Sequence, residues 1–417
     1  MKKYTIVLLP LLLIGIFAFQ SNNNLFKTEA WGFFGHKRIN RLAVFTLPQS
    51  IFGFYKSNIE YVTDHAVDPD KRRYSTKFEA VRHYIDIDHW GEFPFEEVPR
   101  NYPEAILRQA QFFVVNAKND TIDILNNGAE GWGTDTLNFS PKRKNPQITY
   151  RYPELLKLFK DSVFYNKQRY EDEWSIEKTV MESTLNIVIP IKAERVYIVD
   201  HFSEYGILPY HMLTMKNRLT KAFESEDVNK ILRLSADFGH YIGDAHVPLH
   251  TTENYNGQLT NQIGIHGFWE SRIPELFADK EWDYMVGGAQ YIVDPKEYFW
   301  DIVLTSSQLV DSVLTIEKRL SKEFPVDLQN CYTDRNGQNI KTQCEEYSRA
   351  FDEAMGGMVE ERMQASIKAV GEVWYTCWVD GGRPNLNRLV GISAEDLPSA
   401  EPERQNSQPI KTRTHEN

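Results

Sequence analysis

The chain has 417 residues, of which 41% are hydrophobic and 25% are charged, so it can bury a sizeable core and falls within the range of globular proteins. Its formal net charge is −11, and a chain that began at Trp31 would carry −13, because residues 1–30 carry a net +2. This acidic balance opposes long-range capture of polyanions such as duplex nucleic acid, although a metal cluster can be locally positive on an acidic protein.

The first thirty residues have the pattern of an export signal. Lys2 and Lys3 precede an apolar run over residues 5–19, and Thr28 and Ala30 are the small residues that cleavage needs. The alternative is an uncleaved membrane anchor, for which the apolar run is short. We therefore expect residues 1–30 to be a signal peptide and the mature protein to be periplasmic or extracellular, without integral membrane association.

Helical periodicity dominates the sequence after this signal. Apolar residues recur at three- and four-residue steps over residues 228–242 and again over residues 363–377. Pro248 follows the first stretch and Gly381 and Gly382 follow the second, as is typical after a helix. Both stretches therefore predict helices with one face in the core.

The rest of the chain organises around these helices. Residues 103–203 form an expected insertion, in which the Gly-, Asn-, Thr- and Lys-rich residues 126–145 predict a loop. Residues 394–417 are polar with scattered prolines, which indicates a disordered tail. We expect one helical catalytic domain over residues 31–393 and no second domain.

Three cysteines constrain the type of metal site. Cys331 and Cys344 can close a small loop in an oxidising compartment, and Cys377 lies on an apolar helical face and is expected to be a buried thiol. None of the three has the spacing of a zinc site. Any bound metal must therefore be held by histidine and carboxylate.

The strongest chemical signal is a set of histidines and carboxylates at the end of the first periodic helix. His240 and Asp244 are four residues apart and project from one helix face, whereas His250 follows the helix-ending proline. His266 and Glu270 repeat the four-residue spacing. One such pair is common by chance, but five such residues within 31 positions are not. Imidazole and carboxylate are zinc ligands, and a catalytic zinc keeps one position open for water.

The motif His240-x-x-x-Asp244-x-x-x-x-x-His250, followed by His266-x-x-x-Glu270, resembles the zinc-dependent phospholipase C and single-strand-specific nuclease superfamily. The resemblance implies an all-α, multi-helix fold around a trinuclear zinc cleft. It also implies a mature chain whose first residue, a tryptophan, binds metal through its own amine and carbonyl.

Four further residues fit the superfamily's ligand pattern in order along the chain. Trp31 follows the expected cleavage site, and His36 stands where the superfamily has its next ligand. Asp64 and His83 fit the aspartate and histidine that come before the main motif. Five neighbours compete for these last two places: His65, Asp68, Asp86, Asp88 and His89.

The resemblance assigns these nine residues to three zinc ions. It places them in three sets: Trp31, His36 and Asp244; Asp64, His83, His240 and the bridging Asp244; and His250, His266 and Glu270. The implied nucleophile is a hydroxide between the two ions that Asp244 bridges. Asp64 would orient this hydroxide or accept its proton. His246 lies between the ligands and is expected at the rim of the pocket or against a carboxylate that supports a ligand.

The resemblance implies a phosphodiester substrate, either a phospholipid or a single-stranded nucleic acid, and no protein partner. Glu270, where the nuclease branch usually has aspartate, favours a phospholipase C-like hydrolase, as does the acidic balance. A single-strand-specific nuclease of the 3′-nucleotidase type remains the alternative, and a non-catalytic zinc-binding protein is a third possibility.

Two residue sets bear on the choice of substrate. The first is aromatic and would stack a base or cage a choline-like cation: Tyr61, Tyr84, Trp90, Phe93, Phe95, Tyr255 and Trp269. The second is basic and would serve a nuclease: Lys37, Arg38, Lys71, Arg72 and Arg73. The sequence alone does not decide between a lipid and a nucleic acid as substrate, because aromatic residues also pack cores and basic residues also form solvated surfaces.

Overall fold

The computed structural model describes residues 33–73, 77–126, 136–139, 148–165, 173–335 and 338–389. The predictions of a signal peptide at residues 1–30, of Trp31 as a ligand and of a tail at residues 394–417 lie outside the described residues. Most of the loop predicted at residues 126–145 lies outside them as well.

Helices make up most of the described chain. Their bounds are α1 Phe33–Ala43, α2 Gln49–Ser57, α3 Ile59–Asp64, α4 Asp68–Arg73, α5 Lys77–Ala80, α6 Tyr102–Gln109, α7 Tyr152–Phe159, α8 Lys178–Leu185, α9 Leu208–Glu224, α10 Val228–His246, α11 Ile265–Gly267, α12 Ile273–Phe277, α13 Pro295–Ser307, α14 Val310–Glu323, α15 Glu345–Met355 and α16 Met358–Asp380. The prediction of a mostly helical protein is confirmed.

Eight strands accompany these helices in the described ranges. They are β1 Gln111–Val115, β2 Thr121–Asn126, β3 Thr136–Phe139, β4 Ile148–Arg151, β5 Glu173–Glu177, β6 Arg195–Val199, β7 Asn330–Arg335 and β8 Gln338–Gln343. They form a four-stranded antiparallel sheet in the order β2-β1-β6-β5 and the two hairpins β3–β4 and β7–β8.

Helix α10 lies at the centre of the main core. Its side chains are buried on all sides from residue 234 to residue 246, because α1, α9 and α16 pack around it. Asp227 starts the helix by accepting a hydrogen bond from the backbone N–H of Lys230. Trp374 of α16 is fully buried and donates from its indole to the carbonyl of Ser235. The two helices predicted from periodicity are therefore confirmed, and both form the core.

The expected insertion folds around a core of its own. Phe112 and Val114 alternate with partly exposed neighbours along β1, and their buried face packs with α6, α7 and α8. Tyr102, at the start of α6, contacts both this core and the main core, where its ring stacks on Tyr210 at 5.2 Å between centroids. The sheet is a finding that the expectation of an all-α chain did not include.

The hairpin β7–β8 is closed by a disulfide between Cys331 and Cys344. The sequence allowed this pairing without establishing it. Cys377 is a buried free thiol, as expected. The guanidinium of Arg272 donates to the carbonyl of Gln343 at 3.0 Å, which ties the hairpin to the segment that follows Glu270. Among the described helices, none combines the length and apolar character that a bilayer crossing requires.

Candidate metal centre

Two glycines of α10 let α1 approach closely. A Cβ on Gly243 would lie 2.9 Å from Nδ1 of His36, and a Cβ on Gly239 would lie 1.8 Å from Oδ1 of Asn40. The Asn40 amide donates to backbone carbonyls on both sides, including that of Ala236 in α10 at 3.0 Å. The close crossing brings Nε2 of His36 to 3.3 Å from Oδ1 of Asp244.

Asp244 stands at the centre of the cluster and is almost fully buried. Its Oδ1 lies 3.3 Å from Nε2 of His36 and 3.7 Å from Nε2 of His250. Its Oδ2 lies 2.9 Å from Nδ1 of His83 and 3.3 Å from Nε2 of His240. The two oxygens of one carboxylate therefore face two different sets of imidazoles, which is the arrangement that a bridging ligand needs.

Backbone carbonyls fix the tautomers of two histidines. Nδ1 of His240 donates to the carbonyl of Ala66 at 2.9 Å, and Nδ1 of His266 donates to that of Tyr255 at 3.0 Å. In the neutral rings, Nε2 then carries a lone pair. These lone pairs face Oδ2 of Asp244 at 3.3 Å and Oε2 of Glu270 at 2.7 Å. A lone pair and a carboxylate repel each other unless a cation, either a proton or a metal ion, lies between them.

Glu270 joins the second half of the cluster to the first. Its Oε2 faces Nε2 of both His266 and His250, the latter at 3.6 Å, and its Oε1 lies 3.5 Å from Nε2 of His36. His250 lies on a short 3₁₀ turn after α10, and its carbonyl accepts from the backbone N–H of Ile85 at 2.9 Å. That hydrogen bond connects the segment after His83 to the segment that carries His250.

Asp64, predicted as a ligand, is not part of this cluster. It ends α3 with a side chain that is 66% exposed, and its Oδ1 lies 3.3 Å from Nζ of Lys37. Asp70 of α4 lies there instead, with Oδ1 3.8 Å from Nε2 of His240 and 3.9 Å from Nδ1 of His83. Of these two aspartates, Asp70 is therefore the one that lies among the histidines of the cluster.

Asp70 lies in the cluster because α4 packs against α10. This packing partly buries a run of charged residues whose sequence is typical of an exposed surface. Arg73 follows Asp70 by one helical turn and donates to its Oδ1 at 3.0 Å. In the sequence, Asp70 is marked only by the basic residue three positions later. That signal is weak, because acidic and basic residues three apart are common on exposed helices.

The other competing residues make contacts elsewhere. His65 bonds Asp68 at 2.6 Å, and His89 bonds Glu253 at 3.0 Å. Asp88 accepts from the hydroxyl of Thr252 at 2.6 Å. None of them belongs to the groups of described residues whose ligand atoms come within 4.8 Å of one another.

Those groups number four within the described ranges, and they overlap. They are His36, Asp70 and His240; His83, His240 and Asp244; His250, His266 and Glu270; and His36, Asp244 and Glu270. They contain seven of the nine predicted ligands, all but Trp31 and Asp64, and they add Asp70.

The electrostatics of the cluster favour bound cations. Burial opposes ionisation of Asp70, Asp244 and Glu270, but the neighbouring histidines lower the pKa of all three carboxyl groups below its ordinary value. Burial also opposes charge on His36, yet its hydrogen bonds with Asp244 and Glu270 raise its pKa to about 10. Three carboxylates in one buried region therefore draw positive charge onto the site.

His246 lies beside the ligands without joining them. Its Nδ1 donates to the carbonyl of Ile242 at 2.7 Å, and burial lowers the pKa of its imidazole to about 3. It lines a partly open pocket together with Gly35, His36 and Glu270. The expected place of His246 at the rim of a pocket agrees with this geometry. This pocket adjoins the first turn of α1.

No protein-family model matches this chain, and no curated protein is a significant match to it.

Proposed function

We propose that the protein is an exported, zinc-dependent phosphodiester hydrolase of the phospholipase C type. The observation that carries this proposal is the pair of imidazole lone pairs, on His240 and His266, that face the carboxylates of Asp244 and Glu270. Three zinc ions would be held by three sets: Trp31, His36 and Asp244; Asp70, His83, His240 and Asp244; and His250, His266 and Glu270.

The chemistry of these ligands suits zinc. The groups contain imidazole nitrogen and carboxylate oxygen, whereas magnesium and calcium prefer sites built from oxygen alone. No thiolate competes, since Cys331 and Cys344 are paired and Cys377 is buried in the main core. The disulfide is also compatible with the oxidising compartment to which an export signal would lead.

Bound zinc would supply an activated water at neutral pH and polarise the oxygens of a phosphodiester. The side chains of this chain would provide the positioning. Asp244 would fix the spacing between two ions through its two oxygens, and Asp70 would orient the attacking water and accept its proton at a carboxylate oxygen.

The ion pairs of the basic residues favour a lipid over a nucleic acid. All five basic residues expected to serve a nuclease are paired with carboxylates: Lys37 with Asp64, Arg38 with Asp279, Lys71 with Asp68, Arg72 with Asp237, and Arg73 with Asp70. A polyanion would have to compete with these carboxylates on a chain whose net charge is already −11. A zwitterionic headgroup does not face that competition.

One of the seven aromatic candidates lies beside the cluster and is only partly buried. The ring of Tyr255 lies 6.4 Å from that of His266, between centroids. Tyr84, Phe95 and Trp269 are buried, and the ring of Tyr61 stacks on His65. Tyr255 is therefore our choice for the aromatic face that would contact a choline-like cation.

The test uses the chain that begins at Trp31, reconstituted with zinc. Its substrates are a short-chain, monomeric phosphatidylcholine and a single-stranded oligonucleotide. We expect phosphocholine release that a chelator abolishes and that Asp244→Asn removes, while the matched Asp64→Asn keeps it. Zinc uptake without cleavage of either substrate would show that the protein is not a phosphodiesterase. Cleavage of the oligonucleotide alone would establish the nuclease alternative.

A further inference from the structure

A fully buried carboxylate lies behind His83, on the side that faces away from the cluster. Glu79 is 0% exposed. Its Oε1 accepts from the hydroxyl of Tyr241, its Oε2 accepts from the guanidinium of Arg82, and Nη2 of Arg72 lies 3.6 Å from Oε1. The proposed zinc ligands do not include Glu79, and nothing in the hydrolytic chemistry uses it directly.

The two ring nitrogens of His83 face opposite environments. Nδ1 points into the cluster, 2.9 Å from Oδ2 of Asp244 and 3.0 Å from Nε2 of His240. Nε2 is buried without a hydrogen-bond partner, and it lies 3.9 Å from Oε1 of Glu79. A histidine that binds metal through Nδ1 carries its proton on Nε2, and that N–H needs an acceptor.

Glu79 is the acceptor within reach of that proton. Glu79 and His83 are four residues apart on one short segment, so a local shift of about 1 Å would bring Nε2 to an ordinary N–H···O distance. Tyr241 follows the ligand His240 directly on α10, and its hydroxyl holds the same oxygen of Glu79. The carboxylate is thus fixed from the helix that carries the ligands.

Stability alone gives a weak reason to bury this carboxylate. A buried ion pair contributes little beyond well-packed apolar side chains, because desolvation offsets the attraction. Arg72 already has a separate partner in Asp237, at 3.0 and 3.3 Å. A carboxylate that accepts a hydrogen bond from the ring N–H of a metal-binding histidine orients the ring and raises the basicity of the nitrogen that binds the metal.

We propose that Glu79 is a positioning residue, which accepts the Nε2–H of His83 and holds Nδ1 in the orientation that binds metal. This inference rests on the metal centre under the proposed function. It predicts that zinc affinity depends on the length of the Glu79 side chain as well as on its charge.

The variant Glu79→Asp separates these two roles. It keeps the charge that Arg72 and Arg82 face, but it withdraws the carboxylate from His83 by one methylene. We expect zinc affinity, measured by competition with a chromophoric chelator, to fall by about 10–100-fold. The thermal midpoint of the metal-free protein should fall as well, because the shorter side chain also loses its contacts with Tyr241 and Arg82.

Asp237→Asn is the matched control, because it alters a carboxylate of the same ion-pair network that does not contact His83. We expect it to lower the thermal midpoint of the metal-free protein and to leave zinc affinity unchanged. Equal zinc affinity in Glu79→Asp and the wild type would overturn the role of Glu79. A wild-type chain that takes up no zinc would instead overturn the metal centre itself.

A second measurement applies if Glu79→Asp does not fold. The zinc-loaded wild type, with ¹⁵N in its histidine rings, should show a His83 Nε2–H protected from exchange with solvent. The resonance is assigned by its loss in His83→Asn. A His83 ring that carries its proton on Nδ1, or an Nε2–H that exchanges freely, would contradict the proposal.

Discussion

Asp244 presents Oδ2 to Nδ1 of His83 at 2.9 Å. The other oxygen of the same carboxylate lies 3.3 Å from Nε2 of His36. One buried side chain therefore connects the imidazole that α1 supplies with the imidazole that the segment after α5 supplies. Everything proposed for this site depends on that connection, and the first prediction addresses it.

Asp244→Asn should weaken two zinc sites together. The amide keeps one oxygen acceptor but loses the negative charge and one of the two ligand oxygens. We expect elemental analysis to find about one zinc per chain in the variant, in place of about three in the wild type. Loss of a single zinc would show that Asp244 binds one ion without bridging.

Asp70→Asn and Asp64→Asn test which of the two aspartates binds zinc. Asp70 lies within 4 Å of ligand nitrogens on His83 and His240, whereas Asp64 is largely exposed and contacts Lys37. We expect Asp70→Asn to lower zinc content and hydrolysis at least tenfold, since it removes a proposed ligand. Asp64→Asn should match the wild type in both measurements, and a loss there would restore Asp64 as a ligand.

Gly243→Ala should disturb the crossing of α1 and α10. The new Cβ would lie 2.9 Å from Nδ1 of His36, so either the imidazole or the helix must move. Overpacking of this kind costs about 1–3 kcal/mol of unfolding free energy. Chemical denaturation of the metal-free protein measures that loss, and zinc analysis measures the effect on His36.

Gly35→Ala is the control for this change. Gly35 also lies in the site region, in α1, but its added Cβ would come no closer than 4.0 Å to the carbonyl of Glu270. Alanine is the better helix former, so the free energy of unfolding should rise by up to about 1 kcal/mol. Equal destabilisation by both variants would rule out the close approach at Gly243 as the cause.

Asp352 of α15 gives a prediction that does not depend on zinc. Burial, with repulsion from Glu281 and Glu360, raises the pKa of its carboxyl group to about 6. The folded pKa lies above the unfolded value, so the ionised carboxylate opposes folding in full above about pH 6. This penalty declines as the pH falls from about 6 to about 4, and it disappears at about pH 3.

Asp352→Asn removes this carboxylate while keeping its shape. The thermal midpoint of the variant, measured in chelator, should exceed that of the wild type at about pH 8. The difference should shrink between about pH 6 and about pH 4 and vanish at about pH 3, where the wild-type carboxyl group is protonated in both states. A pH-independent difference would show that the titration of Asp352 has no part in it.

Local spacing was enough to predict the central helix and most of the residues that cluster at the site. The four-residue interval between His240 and Asp244 places both on one face of any helix, and the apolar period over residues 228–242 established that a helix is there. The same reasoning chose Asp64 and did not consider Asp70. That choice depends on how α4 packs against α10, which is a tertiary contact with no local signature.

The insertion shows the other limit of sequence reasoning. The five residues of β1 alternate between buried and partly exposed, but a run that short is ambiguous between strand and helix. Its identity as a strand is fixed by pairing with β2 and β6, and β6 lies about 80 residues further along the chain. Glu79 was missed for a similar reason, because only the fold brings it under Tyr241.

The most direct test of the metal centre is a crystal structure of the chain that begins at Trp31, with anomalous diffraction recorded at the zinc absorption edge. We predict three anomalous peaks within the cluster, two of them on either side of the Asp244 carboxylate and one beside His250, His266 and Glu270. Absence of peaks at Asp244 in crystals grown with zinc would contradict the central claim.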